Sequence, residues 1–407
     1  MRRTPLQGRA RMCATAFVAL GCTLAAAAAI ASRLQPKIVV LGEVQAAAGT
    51  ASALLKRLEL TDESGRWTGG DTILVQTGDL IDRGEKVRET LDLFMRLQQE
   101  AATAGGEVVV LMGNHEVMNI LRESKYVNYM AYQDFAGPDS KARQDDLYAR
   151  HVACRQRRAE ALGLDPFEPD EQYHAEFLAT HPLGWVEYFE SMRPEGTYGR
   201  WLRSLPVAHQ IDDLLFIHAG VSPEMRDSDL QAINRCAAAE IASFDGYSER
   251  MVANNMCQPT ASVREMAELV AQEIDYVNSL PKKKRTDNNP RVAQLLELEQ
   301  LTKLSSWSVL TVDGPLWFRG VTMWNENDKA AEMKAILDSI GVRRMITGQG
   351  LEEERVITAR FDNRVLLTSV DLADGPYSGG GKPAALEIDE GVYSVVSLDA
   401  RDILINQ

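Results

Sequence analysis

The sequence predicts an α/β protein, and three observations carry that expectation. Short apolar runs rich in β-branched residues end in glycine-bearing turns, the stretches between them place apolar residues at helical spacing, and the chain returns to strands near its end. The first run, Lys37 to Leu41, is followed by Gly42 and then by an alanine- and leucine-bearing helical pattern to Leu60. The second, Thr72 to Gln76, ends in the turn at Gly78. Val87, Leu91, Phe94 and Leu97 then recur at helical spacing until Gly105 and Gly106 stop the helix. A third run, Val108 to Met112, meets Gly113. Residues 120 to 205 read as helical with proline and glycine breaks and carry no chemical motif. Leu214 to Ile217 is a fourth strand, closing at His218. Residues 225 to 305 are polar and helical in pattern, interrupted from Pro281 to Pro290 by an exposed loop or an insertion. Val342 to Thr347, Arg364 to Thr368 and Val392 to Leu398 are the last expected strands, and there is no internal repeat. In such folds the loops at the carboxyl ends of the strands carry the chemistry.

The 407 residues are 45% hydrophobic and 25% charged, a globular composition that excludes collagen-like, coiled-coil and wholly disordered readings. The net charge of −14 is unevenly placed, because residues 1–31 hold four arginines and no acid. The remainder carries 40 basic against 58 acidic residues and would repel a phosphate backbone, so no nucleic-acid partner is expected. The uncharged stretch Met12 to Ala31 ends in small residues and makes 1–31 a signal peptide, or, if uncleaved, a membrane anchor. The protein is therefore expected to be exported, periplasmic or secreted, and to meet a membrane only through a retained N-terminus. Cys154, Cys236 and Cys257 lie beyond this segment; a single bridge between Cys236 and Cys257 and free thiols are both open. Lys282 to Arg285 reads as a solvated charge run.

Three strand ends bring together residue types suited to a metal. Gly78-Asp79-Leu80-Ile81-Asp82-Arg83-Gly84 follows one strand, Gly113-Asn114-His115-Glu116 the next, and His218-Ala219-Gly220 the fourth. Carboxylate, amide oxygen and imidazole are hard-to-borderline ligands that suit Mn, Fe, Zn or Mg. His151, His174, His181 and His209 lie outside every motif and read as structural or surface histidines.

Trp67 to Arg83 (WTGGDTILVQTGDLIDR), Gly113 to Asn119 (GNHEVMN) and Gly314 to Gly320 (GPLWFRG) resemble the calcineurin-like metallophosphoesterases, within them the phosphoprotein phosphatase branch and its Shewanella-like group. The resemblance runs from about Lys37 to the C-terminus. It implies two mixed β-sheets sandwiched between helices, in a domain spanning 37–407 with helical insertions at about 120–205 and 225–305 forming a cap. It also implies roles. Asp79 matches the carboxylate that bridges two metals, and Asn114 and His218 match ligands of the second metal. His115 matches the general acid, with Asp82 holding its ring. Arg83 matches a phosphate clamp, and Arg319 a second one. The partner implied is a phosphorylated small molecule or protein.

The sequence departs from the family pattern at three ligand positions. Where an Asp-x-His pair is expected after the first strand there are Glu43 and Gln45, and where a Gly-His pair is expected Gly348 is followed by Gln349. Two-metal hydrolysis needs both ions about 3.5–4 Å apart to activate a hydroxide and clamp the phosphoryl oxygens. Glu43 reaches one methylene farther than aspartate, and the two glutamines offer neutral oxygens in place of imidazole. The expectation is one weakly held divalent ion, Mn or Mg, or two if the site is rebuilt. Catalysis is accordingly expected to be attenuated or lost, with a working hydrolase, mononuclear or rebuilt around Glu43, Gln45 and Gln349, as the alternative.

Overall fold

The computed structural model describes residues 35–286, 288–349, 356–370, 372 and 382–406. The expected segment 1–31 lies outside the described residues, and no described helix is long and apolar enough to cross a membrane.

Among the described residues the strands are β1 (Ile38–Leu41), β2 (Ile73–Gln76), β3 (Glu107–Val110), β4 (Ala208–Ile211), β5 (Leu214–Ile217), β6 (Arg344–Thr347), β7 (Thr358–Arg360), β8 (Val365–Leu367), β9 (Ala384–Asp389), β10 (Val392–Ser397) and β11 (Arg401–Asn406). The helices are α1 (Ala48–Arg57), α2 (Val87–Ala104), α3 (Asn114–Ile120), α4 (Tyr129–Phe135), α5 (Ser140–Leu162), α6 (Glu171–Thr180), α7 (Trp185–Ser191), α8 (Thr197–Leu202), α9 (Leu230–Ala253), α10 (Val263–Ser279), α11 (Pro290–Leu298), α12 (Gly320–Met323) and α13 (Glu326–Ile340).

Both sheets are mixed. One runs β11-β10-β9-β1-β2-β3, and the other β4-β5-β6-β8-β7. Within the first, β1, β2 and β3 are parallel and β9 pairs antiparallel to β1; within the second, β5, β6 and β8 are parallel. Strands hidden on both faces need continuous apolar runs, which is why IVVL in β1 and LLFI in β5 are buried throughout. Alternation in the second sheet then divides the core. Phe216, Ile346 and Leu366 face the large cluster that includes Val39, Leu41 and Val75 of the first sheet, while Leu215, Ile217, Met345, Val365 and Leu367 pack on Met333, Ile336 and Leu337 of α13. This clamps the two sheets face to face and gathers the loops after β1, β2, β3, β5 and β6 at one edge.

Of the two cysteine readings left open, free thiols hold: Cys154, Cys236 and Cys257 are all unbridged. Cys236 sits in the first third of α9 and Cys257 just beyond its end, so a rigid helix of some 17 intervening residues holds them about 25 Å apart along its axis. The sequence reading passed over β4, β7, β9 and β11. The Ala-Ala-Leu-Glu-Ile-Asp segment of β9 lacks a β-branched run, yet it lies between β1 and β10 in the sheet, where neighbours on both sides supply its hydrogen bonds.

Candidate metal and phosphate site

The loop after β2 is shaped by backbone conformations that side chains seldom adopt. Asp79, Asp82 and Arg83 have φ of 58°, 72° and 57°, and Gln45 and Ala46 in the facing loop have 49° and 57°. Left-handed non-glycine residues cost energy and persist where the surroundings fix them. Here the loops brace each other: Val44 and Gln45 donate their N–H groups to the Asp79 carbonyl at 3.0 Å. Gly78 and Gly113 allow closest approach. A Cβ on Gly78 would lie 2.7 Å from the Gly113 backbone, and one on Gly113 would lie 2.2 Å from Asp79 Oδ1.

Glu116 holds these loops together from beneath. Its buried carboxylate accepts from the N–H groups of Gly113, Asp79 and Leu80 at 2.8 Å and of Ile81 at 3.3 Å. Burial and the Asp79 carboxylate push Glu116 up from its ordinary pKa, and the amide donors pull against them.

Above this brace the expected residues come together. His115 Nδ1 lies 2.8 Å from Asp82 Oδ2, and Asn119 donates to Asp82 Oδ1 at 2.8 Å while accepting from the Tyr188 hydroxyl at 2.6 Å. The His115 ring is thus oriented by a carboxylate that is itself held. Burial disfavours charge on His115, but Asp79 and Asp82 outweigh it and raise the imidazole to about 9. His115 Nε2 faces Asp79 Oδ2 at 3.8 Å. For Asp79 itself, burial opposes ionisation; His218, His115 and the His115 N–H outweigh it and keep the carboxyl below its usual range.

His218 is fully buried and burial pushes its pKa down, with Asp79 opposing. Its Nδ1 sits 2.8 Å from the Thr77 carbonyl, which can only accept, so Nδ1 carries the proton and Nε2 presents a lone pair. That lone pair lies 2.8 Å from Asn114 Oδ1 and 3.4 Å from Asp79 Oδ1. Three acceptors converge without a donor among them, a donor set that a divalent cation satisfies. Gln349 lies beside it with Nε2 at 3.1 Å from His218 Nε2. In that orientation its N–H caps the lone pair; turned over, its oxygen would make a fourth ligand.

The other cation position does not fit. Gln45 Nε2 donates to Glu43 Oε2 at 2.8 Å, so the amide ties up a carboxylate oxygen, and among the described residues nothing donates to the buried Gln45 Oε1. An imidazole is missing there, and among the described residues no group of three or more His, Cys, Asp or Glu is placed to hold an ion.

Arg83 is half-buried and acts electrostatically on Asp79 and His115; Arg319 is exposed at the start of α12 and acts on His218. Among the described residues neither guanidinium makes a hydrogen bond or ion pair to the protein, so both forks are free for a phosphate. The four histidines outside the motifs stay outside the site: His151 bonds to the Tyr173 hydroxyl, His181 stacks on Phe177, His174 lies against Tyr148 and His209 is in β4.

The sequence reading gave no role to Glu116, Asn119 or Tyr188. Asn119 was findable, since it lies four residues after His115 and so on the same helix face. Tyr188 comes from a helix with no local motif.

Residues 36–237 match the calcineurin-like phosphoesterase family. Shewanella-like protein phosphatase 2 of Arabidopsis thaliana is 29% identical over 52% of this chain and 53% of its own length. Shewanella-like protein phosphatase 1 of Plasmodium berghei is 24% identical over 89% of this chain and 74% of its own. The chain thus spans about half of the Arabidopsis relative and about three quarters of the Plasmodium one. The crystal structure of a cold-active protein-tyrosine phosphatase from a psychrophilic Shewanella superposes over 91% of this chain and 80% of that one, at a TM-score of 0.55 and 22% identity, a likeness of fold. Fold, loop motifs and relatives agree that this chain carries a calcineurin-like metallophosphoesterase domain of the phosphoprotein-phosphatase-like kind.

Proposed function

We propose that this protein recognises a phosphate group, on a phosphorylated small molecule or protein, with hydrolysis attenuated or lost. One observation carries the reading: at the first cation position Gln45 donates to Glu43, putting a side-chain hydrogen bond where two-metal hydrolysis needs a ligand pair. What supports recognition is the set that survives beside it, the Asp82-oriented His115 and the unpaired forks of Arg83 and Arg319. A cation held by Asp79, Asn114 and His218 would supply positive charge to a phosphoryl oxygen. Arg83 would grip the other oxygens, and His115 would face the ester oxygen. Export to the periplasm or outside the cell belongs to the same proposal, resting on the composition of residues 1–31.

The test is turnover and binding on one preparation. The manganese-loaded protein is expected to hydrolyse p-nitrophenyl phosphate far below 1 per second, while tungstate or phosphate raises its melting temperature. Turnover near or above 1 per second, abolished by His115→Ala, would overturn the reading in favour of a working hydrolase. That alternative has one observation behind it, the convergence of three acceptors at Asp79, Asn114 and His218.

A further inference from the structure

Away from the loop cluster, a cavity of about 770 Å³ lies among α5, α6, α7, α10 and the segments that follow α3 and α9. That volume suits a small organic molecule. None of Asp79, Asp82, Arg83, Asn114, His115 or His218 lines it.

Arg122 does line it, and among the described residues no carboxylate is paired with it. It is 7% exposed, and its Nη1 donates to Ser248 Oγ at 2.9 Å and to the Ala261 carbonyl at 3.0 Å, both neutral acceptors. Its guanidinium lies 4.9 Å from the Phe244 ring. Among the described residues no carboxylate forms an ion pair with it; Asp245, an acid close enough to act on it, is bound by both ends of the Arg203 fork at 2.7 Å. Burial, and then Arg193, push the Arg122 pKa down to about 10, the sign of a cation short of counter-charge. A buried guanidinium is normally paired, because desolvation without a partner is costly.

Of the other cations on the wall, Arg158 donates to the Leu269 carbonyl and Gln272, Arg155 lies over the Phe167 ring and donates to the Tyr173 hydroxyl at 3.4 Å, and Lys125 lies over the Tyr126 ring, while burial lowers the pKa of both His151 and His181. Four acids share the lining: Glu123 is paired with Arg264, Glu265 accepts from the Ser262 N–H, and Asp165 and Glu268 complete the set. Opposite stands an aromatic wall: Phe177 and His181 stack at 4.0 Å and 7°, and His181 meets Trp185 at 4.5 Å.

We propose that this cavity binds a small organic carboxylate with an aromatic or apolar body, the carboxylate pairing with Arg122 and the body lying against Phe177 and Trp185. The chemistry is that of a charge-assisted fork set across from an aromatic wall, and it is independent of the phosphate reading above.

Calorimetric titration of the full chain with indole-3-acetate and with its neutral amide tests this. The acid is expected to bind at least about tenfold more tightly than the amide. Arg122→Met is expected to erase that preference, and Arg83→Ala to leave it intact. Equal affinity for acid and amide would overturn the proposal, as would a preference that survives Arg122→Met or disappears in Arg83→Ala. Should Arg122→Met fail to fold, Cys154→Phe decides, since Cys154 is a half-buried wall residue that does not touch Arg122's acceptors. Weakened binding of both probes supports the cavity, and unchanged binding sinks it.

Discussion

At Asp79, Asn114 and His218 three lone pairs face a common point, whereas at Glu43 and Gln45 the side chains face each other. The two halves of one loop cluster have thus gone different ways on a backbone that treats them alike. Both carry left-handed residues; the loop of Glu43 and Gln45 is tied to the Asp79 carbonyl, and the loops of Asp79 and Asn114 are tied to the Glu116 carboxylate. The difference teaches that the scaffold and the chemistry of such a site are separable. Loop conformation is fixed by glycines, backbone donors and one buried acid, and it can outlast the ligands it was built to aim.

Putting the ligands back is the strongest way to break this comparison. Glu43→Asp with Gln45→His and Gln349→His is expected to raise p-nitrophenyl phosphate turnover in manganese by about a thousandfold, because it restores the ion at the first position and with it the hydroxide that a metal pair activates. Gln349→His alone should give far less, since it completes only the half that is already assembled. A triple variant no faster than the parent would mean that the loops, and not the ligands, have changed. The next effect concerns the scaffold. Gly78→Ala places a methyl 2.7 Å from the Gly113 backbone and 2.8 Å from His218 Nδ1 at a φ of 91°, and is expected to cost about 3 kcal/mol in urea unfolding. A loss below about 1 kcal/mol would show that this half of the site is loosely built.

How much of this was legible in the sequence follows from how local each signal is. The parallel strands β1, β2 and β5 were readable because burial on both faces demands near-continuous apolar runs. The ligand loops were readable because they follow those strands directly. By contrast β9 and β11 owe their state to pairing with distant strands; Glu387 in β9 is buried only because Lys37 and Arg401 meet it there. Tyr188 reaches Asn119 across 69 residues of chain, and no window on the sequence contains both. The Gln45 to Glu43 hydrogen bond lies between, since the sequence showed both substitutions but not that one satisfies the other.

A smaller effect separates the two phosphate forks. Arg83→Ala is expected to weaken phosphate or tungstate binding by about tenfold, read from the shift in melting temperature against ligand concentration. Arg319→Ala should weaken it by less, because an exposed guanidinium is screened by water where a half-buried one is not. Equal losses would place the ligand between the two residues and not at Arg83.

The smallest expected effect is also the one that divides the halves most directly, the stabilisation conferred by a metal. A single cation at Asp79, Asn114 and His218, with manganese at about five times its dissociation constant, stabilises the fold by ~1 kcal/mol, and a chelator removes that increment. His218→Ala takes away the imidazole lone pair that completes the donor set, so the increment should vanish. Glu43→Gln neutralises the carboxylate that Gln45 already engages, so the increment should survive. Calorimetry should then count no more than one ion per chain in the parent. If Glu43→Gln abolished the stabilisation, or two ions were counted, Glu43 would be a ligand in spite of its bond to Gln45, and the contrast between the two positions would fall.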